Sequence, residues 1–133
     1  MDSQLMRVIE ECTSGSDNGS LSFPEVVAKL MQAGVERYHA DLCRAAKTYY
    51  LADGTSQVVP GAGLPRGPAR DFDAGGVQAA LKAIQAQQTD YRQFCERIAA
   101  AGCVGYIVSL PGRRAVYYGR SGDLYVEHFP PAP

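Results

Sequence analysis

The chain has 133 residues, 46% apolar and 20% charged, with 13 basic against 14 acidic side chains and a net charge of −1. That length suits a single domain, residues 1–133, with a core that needs neither metal nor disulfide, and the composition excludes disordered and collagen-like chains. The charge balance disfavours nucleic acid and membrane surfaces as partners.

The first twelve residues, MDSQLMRVIEEC, lack the continuous apolar run of a secretion signal, and no stretch approaches the ~18 apolar residues of a membrane span. A soluble, cytoplasmic protein is expected. Cys12, Cys43, Cys95 and Cys103 form no C-x-x-C pair and lie far from both histidines. Zinc-ligand spacing is absent, reduced and mostly buried thiols are expected, and neither metal nor cofactor is predicted.

Leu5, Met6, Ile9 and Cys12 share one face of a helix from Ser3 to about Cys12, followed by a polar loop over 13–20. Ser22, Pro24 and Glu25 read as the start of a second helix, with a capping box and proline in the first turn. Val26, Val27, Leu30 and Met31 give it an apolar stripe, and Gly34 ends it in the left-handed region. A strand follows at once, then strands near 48–51 and 57–59 joined through the turn pair Asp53-Gly54.

The same order recurs 68 residues later without a gap. Positions 23–59 and 91–127 share eight identities: Ala33/Ala101, Gly34/Gly102, Tyr38/Tyr106, Leu42/Leu110, Tyr49/Tyr117, Tyr50/Tyr118, Gly54/Gly122 and Val58/Val126. The second copy opens with a helix from Asp73 to about Gln87. A further helix, capped by Thr89, runs through Tyr91, Phe94, Cys95 and Ile98 to Gly102. Its later strands fall at 115–118 and 124–129. PGAGLPRGPAR (60–70) joins pseudo-repeats of about 1–59 and 71–129 as an irregular linker or a loop over a site. The predicted class is α+β: duplicated helix-helix-three-strand units form a mainly antiparallel sheet with helices on one face.

GVERYHADLCRAAKTYYLADG (34–54) and AAGCVGYIVSLPGRRAVYYGRSGDLYVEHFP (100–130), with AIQ (83–85) and Tyr91, resemble the YbcV-like family of small bacterial and phage-associated proteins. The resemblance covers roughly 20–130. It implies a shared fold and offers no catalytic residues to carry over.

The copies differ most in the first strand. Strand alternation puts Tyr38, Ala40 and Leu42 on one face and Arg37, His39 and Asp41 on the other, with Glu36 on the tyrosine face. The second copy has Gly105, Ile107 and Ser109 where the first has the cation, imidazole and carboxylate. The row reads either as a solvated face or as a polar site in which His39 titrates near neutrality beside Asp41. Arg114 and Arg120 flank tight turns, Tyr118 and Tyr125 offer apolar walls, and Glu127 and His128 close the last strand on opposite faces. Residues 60–120 hold eight basic and four acidic side chains, whereas 1–59 hold five and eight. Guanidinium groups there suit phosphate or carboxylate.

Three functions are compatible with this pattern. The first is a non-catalytic module binding a small anionic ligand or a peptide through Arg37, His39, Asp41, Arg114, Tyr118, Arg120, Glu127 and His128. The second is a homo-oligomeric interaction protein, expected to show an apolar open sheet face and no pocket. The third is a small hydrolase or isomerase using His39 with Asp41, which requires that imidazole and carboxylate meet. Serine-nucleophile, phosphate-loop and dinucleotide motifs are absent, so the balance leans away from an enzyme.

Overall fold

The computed structural model describes residues 3–61 and 63–129. Four helices, α1 (Ser3–Asp17), α2 (Phe23–Gln32), α3 (Ala74–Gln85) and α4 (Tyr91–Ala100), pack on one antiparallel sheet. Its strands are β1 (Val35–Asp41), β2 (Ala46–Leu51), β3 (Ser56–Pro60), β4 (Cys103–Ser109), β5 (Arg114–Gly119) and β6 (Leu124–His128). The strand order is β3-β2-β1-β4-β5-β6. Two three-stranded meanders thus join through their first strands, as the α+β reading requires.

The register carries the offset of 68 through the backbone. Tyr38 pairs with Tyr49 and Tyr106 with Tyr117; Val35 pairs with Leu51 and Cys103 with Gly119; a bulge follows each of Val35 and Cys103. Across the central seam Tyr38 faces Val108 and Ala40 faces Tyr106, so His39 opposite Ile107 marks the local twofold. Positive φ recurs at Gly19 and Gln87, Gly34 and Gly102, Ala45 and Arg113, and Gly54 and Gly122.

One face of the sheet is the core. Tyr38, Tyr49, Tyr106 and Tyr117 are all buried at its centre with Ile9, Leu30, Val77 and Ile98 from the four helices. Neighbouring rings in this tyrosine row lie 5.1–6.4 Å apart, close enough for edge and tilted contacts. α2 starts as its sequence dictates: Ser22 and Glu25 complete a reciprocal capping box. For α4 the cap is Asp90, whose carboxylate accepts from Gln93 N, while Thr89 bonds the Gln93 side chain instead.

Three local expectations are corrected. α1 runs on through Asp17, because Thr13 and Ser16 are buried rather than looped out. The Thr13 hydroxyl bonds Ile9 O and Tyr49 OH, and Leu21 packs so closely over Gly15 that a Cβ there would lie 2.5 Å from it. Met31 is exposed while Val26 and Leu30 are buried, so the inward stripe of α2 is narrower than predicted. The bulge sends Val35 into the core with Tyr38 and leaves Glu36 half-buried against the Arg37 guanidinium, off the tyrosine face.

Candidate functional site on the open sheet face

The face away from the helices is a grid set by the ladder registers. Its middle row runs Val58, Thr48, His39, Ile107, Val116, Val126 across all six strands. On one side lies Ser56, Tyr50, Arg37, Ser109, Arg114, His128, and on the other Pro60, Ala46, Asp41, Gly105, Tyr118, Leu124. Val58, Ile107, Val126 and Leu124 are exposed at 56, 42, 37 and 61%. Four of the six exposed large hydrophobics among the described residues thus sit on this one face, the others being Phe23 and Met31 on α2.

At the centre, His39 Nε2 and the Tyr118 phenol oxygen share a hydrogen bond of 2.6 Å, with their rings nearly parallel. These residues lie two strands apart. The contact exists because Gly105, between them, has no side chain: a Cβ there would lie 2.6 Å from the Tyr118 hydroxyl and 2.8 Å from Ala40 O. Burial, reinforced by the charge of Asp41, pushes the Tyr118 phenol up and keeps it protonated. It therefore donates to an unprotonated Nε2 and accepts from a protonated one.

Asp41 is turned to another task. Its Oδ1 accepts from Cys43 N and Arg44 N and builds the β1–β2 turn, so the His39–Asp41 hydrogen bond that the hydrolase reading requires is not made. Arg37 is engaged as well: its guanidinium stacks 4.3 Å over the Tyr50 ring and pairs with Glu36. Arg114 and His128 are exposed neighbours in the row that includes Arg37.

Two candidates fall outside the cluster. Arg120 lies beyond the end of β5 and donates to Pro68 O at 2.5 Å, tying down the linker. Glu127 faces the helix side of β6 and accepts from Gln85 Nε2 at 2.7 Å. Their distance from the others follows from strand alternation and turn position. Among the described residues no group of three or more His, Cys, Asp or Glu side chains could hold a metal ion. No helix among them is long and apolar enough to cross a membrane.

The sequence reading missed Lys47. Its side chain is only 8% exposed, on the helix face of β2 beside Tyr49. Nζ lies 4.4 Å from the Tyr91 ring centre and 5.9 Å from that of Tyr38. The signal was available, since Lys47 is two residues before a tyrosine assigned to the core.

Residues 69–128 match the family described as protein of unknown function DUF1398. The chain is 33% identical over 109 residues to Uncharacterized protein Mb2035 of Mycobacterium bovis and to Uncharacterized protein Rv2012 of Mycobacterium tuberculosis. Each alignment covers 80% of this chain and 66% of the relative, so the chain spans slightly less than two thirds of those proteins. By sequence it is similar to an uncharacterised family over the second helix-helix-three-strand unit, and to these uncharacterised mycobacterial proteins over a stretch longer than that unit.

Proposed function

We propose that the protein is a non-catalytic interaction module that docks a second copy of itself through the open face of its sheet. The observation that carries this reading is the apolar run Ile107, Val116, Val126 with the adjacent Leu124 over β4, β5 and β6, joined across Thr48 and His39 by an exposed Val58 on β3. Monomers rarely leave a large apolar patch uncovered. Six strands at ~4.8 Å spacing and ~20 Å long offer about 600 Å² of plane, or about 1,200 Å² for a pair, the lower end of a specific interface. Tyr50, Tyr118 and Arg37 beside the row are residue types enriched at such contacts. The His39–Tyr118 pair supplies one polar anchor within the apolar strip. In this reading the chain is a single domain of two pseudo-repeats, about 1–59 and 71–129. It belongs with the bacterial and phage-associated YbcV-like proteins and works in the cytoplasm.

Sedimentation velocity across the micromolar range tests it. The expected result is a dimer in the wild type and a monomer with unchanged circular dichroism in Ile107→Glu and Val126→Glu. A wild type that stays monomeric at the highest concentration overturns the reading. The small-ligand alternative rests on Arg37, Arg114 and His128 in one row. It gains ground if a monomeric chain shows a melting shift with an inorganic anion that Arg37→Ala/Arg114→Ala removes.

A further inference from the structure

On the opposite side of the sheet, Lys47 lies at the wall of a cavity of about 40 Å³ whose lining also includes Asp17, Tyr91, Arg92, Cys95 and Gly63. Gly63 and Arg92 are exposed, so the rim meets solvent, while Cys95 and the Lys47 side chain are buried. Among the described residues no hydrogen bond or ion pair engages Lys47 Nζ; its contacts are the faces of Tyr91 and Tyr38. A buried ammonium without a carboxylate partner is costly, and stabilising the fold does not require one here. The equivalent position in the second unit is Ala115, also buried, in the same register beside Tyr117. The backbone thus accepts alanine at this place, and the first unit carries an amine there instead.

We propose that Lys47 is a nucleophilic amine that captures small carbonyl compounds, aldehydes and 2-oxo acids, as an imine in this cavity. The neutral amine adds to the carbonyl carbon, and the oxygen takes the amine proton to give a carbinolamine. Loss of water then leaves a C=N bond on Nζ. Asp17, in the same lining, can carry the proton from nitrogen to oxygen, and Arg92 at the rim suits the carboxylate of a 2-oxo acid. The volume, more than a single water needs, admits a carbonyl on one or two carbons, which confines the 2-oxo acids to glyoxylate. The groups that face Nζ are Cys12 and Asp17 from α1, Tyr38 from β1, and Tyr91 and Cys95 from α4. Burial outweighs the charges among them and lowers the Lys47 pKa, which enlarges the neutral fraction. Burial pushes the Cys95 thiol up to about 11, so it stays protonated and does not compete as the nucleophile. The site is independent of the docking face and stands or falls separately from it.

The chain has only three lysines, and Lys29 and Lys82 are built-in controls. Lys82 is exposed, and Lys29 is paired with Glu11, which raises its pKa. The native protein is treated with glyoxylate and cyanoborohydride near neutral pH, and the carboxymethylated lysines are mapped by peptide mass spectrometry. The expected result is labelling of Lys47 about tenfold or more faster than of Lys29 and Lys82, because its lowered pKa leaves more of the amine neutral. The Lys47→Met variant then keeps only the slow labelling. Equal labelling of the three lysines, or a Lys47 labelled only after urea unfolding, overturns the proposal and leaves a purely structural amine. Because the comparison among lysines is made within the wild type, it holds even if the variant fails to fold.

Discussion

The two units of the sheet share a ladder register and differ in what that register holds. At one matched position the first unit buries Lys47 opposite Val59, while the second buries Ala115 opposite Glu127. At another, Arg37 occupies the open face of β1, while Gly105 clears the same place on β4 so that Tyr118 can reach His39. Backbone geometry tolerates both versions. Side-chain chemistry has been placed asymmetrically on a nearly symmetric frame, and each asymmetry coincides with a candidate site. The difference teaches where to look: the shared positions hold the fold, and the unshared polar ones are free to acquire a role.

The largest expected effect comes from forcing the second unit to resemble the first. Ala115→Lys should cost about 4 kcal/mol or more in urea unfolding, since it forces a long cation into the buried core beside Tyr117. Lys47→Met should stay within about 1 kcal/mol of wild type or exceed it, because an apolar chain of similar length replaces an unpaired buried charge. Equal tolerance of lysine at 47 and 115 would break the comparison.

A smaller contrast is expected at the two glycines that separate helix from strand. Both have positive φ, 88° at Gly34 and 86° at Gly102. Around Gly34 a Cβ meets nothing within 4 Å; at Gly102 it would lie 2.2 Å from Asp71 O. Gly34→Ala should therefore cost only the left-handed strain, about 1 kcal/mol, and Gly102→Ala about 3 kcal/mol as the backbone at Asp71 must move. Matched losses from the two variants would mean the chain yields freely at Asp71.

The last contrast is a difference in pH slope between wild type and Lys47→Met. Burial raises the Cys95 and Cys103 thiols to about 11. Between the ordinary thiol value, ~8.5, and about 11 the unfolded chain holds fewer protons, so stability falls as pH rises. Lys47 acts oppositely. Its folded pKa is lowered, so from that value up to ~10.4 the unfolded chain binds the extra proton, and its contribution to stability grows with pH. The melting temperature should decline from pH 8.5 to 11, and decline more steeply in Lys47→Met. Parallel curves for the two proteins would remove the lowered lysine.

Much of this frame was legible in the sequence because it is written in local chemistry. Ser22 and Glu25 cap a helix by hydrogen bonds within four residues, Gly34 and Gly102 end helices through their own φ, and Asp53-Gly54 turns a hairpin. Alternation in β1 assigned Tyr38 to the core and the row Arg37, His39, Asp41 to the open face. What escaped depends on tertiary neighbours. The polar run after Cys12 reads as a loop until Tyr49 provides a partner for Thr13. Asp41 reads as a partner for His39 until the turn amides claim it. The reach of Tyr118 over Gly105 joins residues 79 apart in sequence, and no local pattern encodes it. Lys47 was overlooked because lysine is assigned to the surface by type, although its place in the strand points inward.

The phenols buried at the middle of the sheet also give the protein its own optical gauge. It has eight tyrosines and no tryptophan. Burial drives the ionisation of Tyr38, Tyr49, Tyr91, Tyr106 and Tyr117 far into alkali. At high pH these five of the eight tyrosine chromophores therefore stay silent until the sheet opens. The ultraviolet signal of phenolate then reports the loss of the central seam, without a dye, a label or an engineered residue.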